Sequence, residues 1–309
     1  MNWPNQAVLE FALPFTPLEL VGGALACLLA LLMGRLLAKK QARAFASPKY
    51  ESQNAPTQSN DRLPTVTFLD YGDMRFLHLG TPAVQGSMKM SKPFEIHLEY
   101  VQRMMGWLLF TDLDKVKHLH AMQLGLGAAS LTKFCYQHLG MQTTAIELNP
   151  QVIETCRQWF NLPPNNLKLQ VTIGDAAEVA TQTHWHGKVD VLQIDLYDQD
   201  AKAPVLDSKA FYADCRRLLT PEGCLVVNLF GHDMHFHESM QNIAHSFGDN
   251  ALWAFKPTPA GNTIAMAFLT PRHEDTSALA LQASRIEACH PLPAKKWLKA
   301  LSPYSQPPL

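Results

Sequence analysis

Two regimes of hydrophobic patterning divide the chain, with the boundary near residue 64. Before it, positions 18–38 (LELVGGALACLLALLMGRLLA) form an apolar stretch that approaches the length of a bilayer span and is followed by Lys39, Lys40 and Arg43. Read as a membrane anchor, this charge placement puts the N-terminus outside and the rest of the chain at the inner, cytoplasmic face. Glu19, Arg35, Gly22 and Gly23 interrupt the stretch, so a peripheral packed helix is the competing expectation. A charged leading region is missing, which fits a secretory signal poorly. The expected divisions here are a hydrophobic segment over 1–46 and a flexible linker over 47–63, because SPKYESQNAPTQSNDRL is polar, contains proline and has no apolar period.

From Thr65 the pattern is that of strands. TVTFLDYGDMRFLHLG places apolar and aromatic residues around a Tyr71-Gly72-Asp73 turn, and AVQGSMKM follows, which predicts a small β-rich unit over 64–117. Within it, 94–110 (FEIHLEYVQRMMGWLLF) has helical spacing, with Ser91 as a cap and Pro93 near the first turn, so a linking helix is expected. Over 118–270, strands and helices alternate: strands at 118–125, 143–148, 167–173, 189–194 and 224–230, with helices between them. Two adjacent strands close the region, at 251–255 and 263–269. This alternation predicts an α/β fold with a mainly parallel sheet, helices on both faces and an antiparallel edge, preceded by the small β domain. The remainder, 271–309, carries a helical pattern over 276–288 and a proline-rich end, SPYSQPPL, that reads as loose.

Composition narrows the function classes. The 309 residues are 47% hydrophobic and 17% charged, enough for a sizeable core, and a formal net charge of −1 offers no basic surface for nucleic acid. Cys27, Cys135, Cys156, Cys215, Cys224 and Cys289 have no C-x-x-C spacing and read as reduced residues of a cytoplasmic protein. His232, His235 and His237 in GHDMHFHES lack completing cysteines or carboxylates, so no metal is expected.

Parallel sheets bind ligands beyond the carboxyl ends of their strands, which makes the polar residues there informative. Gly125 and Gly127 close the first parallel strand, Glu147 the second, Asp175 the third, and VDVLQIDLYDQD (189–200) delivers Asp195, Asp198 and Asp200 at the fourth. Glycines let a ligand approach the backbone, an acid after the second strand can accept both ribose hydroxyls, and Asp175 is placed to meet an adenine amino group. The sequence G-x-G-x-x-S, with Ser130 in place of a third glycine, argues against a pyrophosphate. A rim crowded with carboxylates suits a cationic nucleoside such as a sulfonium.

The run MQLGLGAASLTKF, AIELNPQVIETCRQWFNLP, VTIGDAAEV and VDVLQIDLYDQDAKAPVLDSKAFYADCRRLLTPEGCLVVNLFG resembles the polyamine aminopropyltransferases, the spermidine synthase family, over 65–269. Its most specific part is Asp195, Asp198, Pro204, Leu206 and Phe211-Tyr212. The resemblance implies a methyltransferase-like Rossmann fold and transfer of an aminopropyl group from decarboxylated S-adenosylmethionine to an amine such as putrescine. It also implies a homodimer. It assigns Asp195 as the catalytic proton acceptor, with Asp198, Tyr100 and Gln85 on the amine side. For the nucleoside it assigns Gly125, Gly127, Glu147, Asp175 and Ala176. Such an acid is needed because an alkyl ammonium with a pKa near about 10 must lose a proton before it attacks carbon.

Two departures stand out. Where the family's glycine-rich loop has an aspartate toward the aminopropyl ammonium, this chain has Ala128, and Tyr100 is followed by Val101, leaving Gln102 or Glu99 as the nearest polar substitutes. Missing acid at 128 favours, as the alternative, a methyltransferase using intact S-adenosylmethionine; a non-catalytic nucleoside-binding relative is the third reading.

Overall fold

The computed structural model describes residues 63–197, 205–230 and 234–304. The expectations for 1–46, for 47–62 and for Asp198, Asp200, Pro204 and His232 lie outside the described residues. No helix among the described residues is long and apolar enough to cross a membrane.

The chain from Asp61 to Leu309 forms one compact unit. It opens with a three-stranded antiparallel sheet, β1 (Val66–Tyr71), β2 (Met74–Leu79) and β3 (Val84–Lys89). Gly72, with φ of 59°, turns the first hairpin as the sequence suggests. Ser91 does not cap a helix: its amide and hydroxyl both donate to the Asp73 carboxylate and close the end of this small sheet.

The expected helix over 94–110 breaks in two. Helix α1 (Glu99–Arg103) ends at Met104, and a 3-10 turn, Gly106–Phe110, follows. Gly106 opens that turn, and a Cβ there would stand 2.8 Å from the Phe255 ring, so the close approach requires a glycine. Met104, Met105, Trp107 and Leu108 are fully buried there, each contributing about 1.5–3 kcal/mol of apolar transfer as an upper estimate.

Next come β4 (His120–Leu124), α2 (Ser130–Gln137), β5 (Gln142–Glu147), α3 (Pro150–Trp159), β6 (Leu169–Ile173), α4 (Ala176–Ala180), β7 (Val189–Ile194), α5 (Lys209–Leu218), β8 (Leu219–Phe230), α6 (Met234–Phe247), β9 (Leu252–Phe255), β10 (Asn262–Phe268), α7 (Thr276–Cys289), α8 (Ala294–Trp297) and β11 (Leu301–Pro303). The eight-stranded sheet has the order β11-β9-β10-β8-β7-β4-β5-β6. Strands β8, β7, β4, β5 and β6 pair parallel to one another, whereas β10 pairs antiparallel with β8 and β9, and β11 antiparallel with β9. Helix starts follow local chemistry: Asn149 and Ser208 accept from backbone amides at the heads of α3 and α5, with Pro150 in the first turn of α3.

Two differences from the sequence expectation concern edges. Strand β8 begins at Leu219 rather than after Gly223, crossing Pro221 beside a register irregularity opposite Val189 and Val191, where a ladder can admit a residue without an amide proton. The start of the tail is not loose: Leu301–Pro303 pairs with β9 and the Tyr304 amide donates to the Leu252 carbonyl. Its proline takes the outer strand of the sheet, where the missing donor is tolerated.

Alternate residues of β4, β7 and β8 feed two cores. Ala121, Val191 and Val226 pack with the 104–110 turn, α2, α7 and α8, while Met122, Leu192 and Val227 pack with α4, α5 and α6. A third cluster joins Leu77 and Met88 of the small sheet to Ala128, Val152 and Phe160. The small sheet is thereby seated on the loop after β4, at the carboxyl rim of the large one. Cys135, Cys156, Cys215 and Cys224 are buried free thiols, and Cys289 is an exposed one.

Candidate active site

At that rim lies a cavity of about 690 Å3 that brings together Gln85, Tyr100, Gly125, Gly127, Glu147 and Asp195, six of the site residues expected from sequence. Its size is that of a small-molecule site. The glycines at its centre are required by close approach. A Cβ on Gly125 (φ 91°) would lie 2.3 Å from the Asp195 carbonyl, so this position must be glycine for β4 and β7 to end side by side. The Gly125 amide donates to Ile146 and the Asp195 amide to Leu124, fixing three strand ends together.

Glu147 stands at the end of β5. Its two carboxylate oxygens accept from the Leu126 amide at 3.0 Å and the Asn149 amide at 2.9 Å, which pins the glycine loop to the following turn. Burial raises its pKa against the lowering pull of these backbone donors. The carboxylate keeps acceptor capacity for a ligand hydroxyl.

Asp195 follows β7 and is held from two sides. Asn228, on β8, donates to Oδ1 at 2.8 Å, and the Tyr100 hydroxyl donates to Oδ2 at 3.4 Å. Asn228 is itself held, because Asn262 donates to its side-chain oxygen at 3.2 Å and the Tyr197 hydroxyl to its backbone carbonyl at 2.9 Å. Burial raises the Asp195 carboxyl above the ordinary carboxylate value, opposed by the bonds from Asn228 and Tyr100. Burial first, and the Asp195 charge second, push the Tyr100 hydroxyl well above the usual phenol value, so it stays a donor. A carboxylate with a raised pKa is a stronger proton acceptor than an ordinary one.

Asn228, Asn262 and Tyr197 also line the cavity and were missed in sequence. The available signal was a lone asparagine in the apolar strand CLVVNLF; strand register alone reveals that it faces Asp195. Asp175 and Ala176 are not among the lining residues. Asp175 accepts from the Ala177 amide at 2.7 Å and caps α4. Neither polar neighbour of Tyr100 replaces the second contact: Gln102 donates to the Ile96 carbonyl and Glu99 accepts from Arg103. Ala128 is 3% exposed, and a Cβ on Gly86 of β3 would stand 2.7 Å from its Cβ. Residue 128 thus faces the small sheet and is not a lining residue. No group of three or more metal-ligating side chains converges among the described residues.

A parallel sheet with glycine and acid strand ends, a cavity at its carboxyl rim and a small sheet seated over it define a methyltransferase-like Rossmann fold. The comparisons agree. Residues 127–272 match the family model described as the spermine/spermidine synthase domain. A polyamine aminopropyltransferase from Neisseria meningitidis is 31% identical over 240 residues, 77% of this chain and 89% of that protein. A probable spermidine synthase from Corynebacterium glutamicum superposes with a TM-score of 0.62 at 19% identity, covering 80% of this chain and 93% of the other. Human methyltransferase-like protein 13, solved with SAH, gives 0.56 at 22% identity, covering 62% and 92%. The chain belongs to the spermine/spermidine synthase family, as a divergent member, and is a transferase.

Proposed function

We propose that the chain moves an aminopropyl group from decarboxylated S-adenosylmethionine to an amine such as putrescine. One observation carries this reading: the cavity is lined by two carboxylates, Glu147 and Asp195, and by no lysine, arginine or histidine among the described residues. A sulfonium donor with an ammonium tail, and an amine acceptor, are cations that such a wall attracts. The carboxylate of the intact cofactor would find no cationic partner in it.

Each residue then has a definite task. The glycine loop lets the nucleoside lie against the backbone, and Glu147 accepts from its ribose. Asp195 orients the acceptor ammonium and takes the proton it must lose, so that the nitrogen lone pair attacks the carbon beside the sulfonium as the carbon–sulfur bond breaks. Its raised pKa narrows the gap to an ammonium near about 10 and improves the transfer. Tyr100 and Asn228 hold the carboxylate at both oxygens, Gln85 borders the amine side, and Asp198 is assigned a second ammonium. Asp175 and Ala176 belong to the adenine end, where Asp175 acts by setting the head of α4. The segment 18–38 serves as a tether at the inner, cytoplasmic face of the membrane, and the enzyme works as a homodimer.

The second reading, a methyltransferase using the intact cofactor, rests on the missing acid at 128; with Ala128 turned toward the small sheet, that absence does not favour it. Calorimetry with S-adenosylmethionine, its decarboxylated form and methylthioadenosine separates the readings. Preference for the decarboxylated form supports aminopropyl transfer, and preference for the intact one overturns it. Binding without turnover over a broad amine screen makes the protein a non-catalytic nucleoside binder.

A further inference from the structure

Beneath the site, two glutamines sit where an apolar sheet core is expected. Gln123 on β4 and Gln193 on β7 are direct register partners, at 1% and 0% exposure, in the layer formed by Ala121, Val191, Phe134 and Met105. A buried primary amide is tolerated only when its polar atoms are met. Here they are. Gln123 Nε2 donates to Gln193 Oε1 at 2.9 Å, and the Thr132 hydroxyl donates to Gln123 Oε1 at 3.3 Å. Gln193 Nε2 donates to the Met104 carbonyl at 3.1 Å and lies 3.5 Å from Met105 Sδ. The Cys135 thiol completes the group, 3.8 Å from Gln123 Nε2 and 3.7 Å from Gln193 Oε1.

This network ends on the C-cap residue of α1, the helix that carries Tyr100. A helix of five residues does not hold itself, so its place is set by what grips its ends. Gln193 grips one of its final carbonyls. Along β7 the same residue precedes Asp195 by two positions, on the same face of the sheet. One side chain therefore ties the element bearing the phenol to the strand that delivers the carboxylate. A pair of apolar residues of similar shape would fill the space with little change in stability, so packing alone gives no reason for amides here.

We infer that Gln193, braced by Gln123, is a positioning residue that sets the Tyr100–Asp195 contact. The inference rests on the proposed roles of those two residues. By holding Met104 it fixes α1 against β7, keeps the phenol within reach of the carboxylate and leaves the nucleoside end, built around Glu147 and the loop, unaffected.

The test uses the full-length protein, with Gln193→Met as an isosteric change that keeps the fold and Gln123→Leu/Gln193→Leu as the complete removal. Hydrogen exchange of the amides in 99–105 reads the clamp without any turnover, and should be at least about tenfold faster in both variants. Transfer from decarboxylated S-adenosylmethionine to putrescine should show kcat lower by about tenfold to a hundredfold, with the donor KM within about twofold. In a Tyr100→Phe background the Gln193→Met change should add no further loss. Unchanged exchange overturns the clamp, whatever the substrate. An additive loss in the Tyr100→Phe background, or a rise in donor KM matching the fall in kcat, overturns the positioning role. Full turnover by Asp195→Asn overturns the proposed chemistry itself, and is seen separately from either.

Discussion

The Asp195 carboxylate is held in its ionised form at the expense of the fold. Its folded pKa is raised by burial, so the folded chain binds more protons than the unfolded one just above the ordinary carboxylate value of 3.8. The stability it contributes is fully present below that value and is lost as pH rises through the folded pKa. Above its folded pKa the ionised, half-buried carboxylate is therefore a liability. Asp195→Asn should lower kcat by about a hundredfold to ten-thousandfold while leaving the thermal midpoint equal or higher; turnover and calorimetric melting check both. Asn228 pulls the other way on the same group, since its bond lowers the Asp195 pKa. Replacing it by leucine removes that pull, so the acid limb of the kcat/KM profile should move to higher pH, and a limb that stays in place would remove Asn228 from the ionisation of Asp195. Glu147→Gln keeps the size and loses the charge that we propose receives a ribose. Affinity for methylthioadenosine, read by calorimetry, should fall by about tenfold to a hundredfold.

At the scale of elements, the loop after β4 is shaped by what rests on it. Ala128 packs on Gly86, the Ser130 hydroxyl donates to the Ser87 carbonyl at 3.1 Å, and the Cys156 thiol contacts the Gly127 carbonyl, so the loop is the seat of the small sheet as much as the floor of the cavity. Restoring an acid there is then no simple repair. Ala128→Asp should lower unfolding free energy by about 2–4 kcal/mol, because a carboxylate would be buried against β3 without a partner, and it should not tighten donor binding. Denaturant titration and calorimetry on the same variant give the two numbers. Helix α5 and helix α6 are joined in a similar way through Asp207, which accepts from Tyr212 and Ser239, both at 2.6 Å, at the base of the segment that leads from the site.

For the whole molecule, buried ionisable groups set the response to alkali. Burial raises the Cys135, Cys156 and Cys224 thiols to about 12, so the folded chain keeps protons that the unfolded chain releases from about pH 9, and stability falls as pH rises beyond that. Lys133 has the opposite sign. Its amine is 1% exposed, donates to the Phe160 carbonyl at 2.6 Å, and burial lowers its pKa from 10.5 to about 8. Between those values the folded chain binds fewer protons than the unfolded one, so this residue contributes increasing stability as pH rises. Relative to Lys133→Met, the wild type should gain up to about 3 kcal/mol from pH 8 to 10.5, measured by urea unfolding at each pH.

What the sequence determined by itself is what depends on near neighbours. Strand–helix alternation and glycines and acids placed at strand ends follow from periods and local chemistry, and together with the family resemblance they pointed to the fold class and six residues of the cavity. Tertiary structure decided what depends on approach across the chain. The expected helix gave way to a 3-10 turn after Met104, and β9 recruited part of a tail that looked loose. Asn228 and Asn262 came to Asp195 through strand register, whereas Asp175 was drawn to its own helix. Ala128 shows the limit most clearly. Its identity was plain in sequence, but only the contact with Gly86 decides that its side chain faces a sheet and not a substrate, because direction in a loop is set by packing and not by spacing.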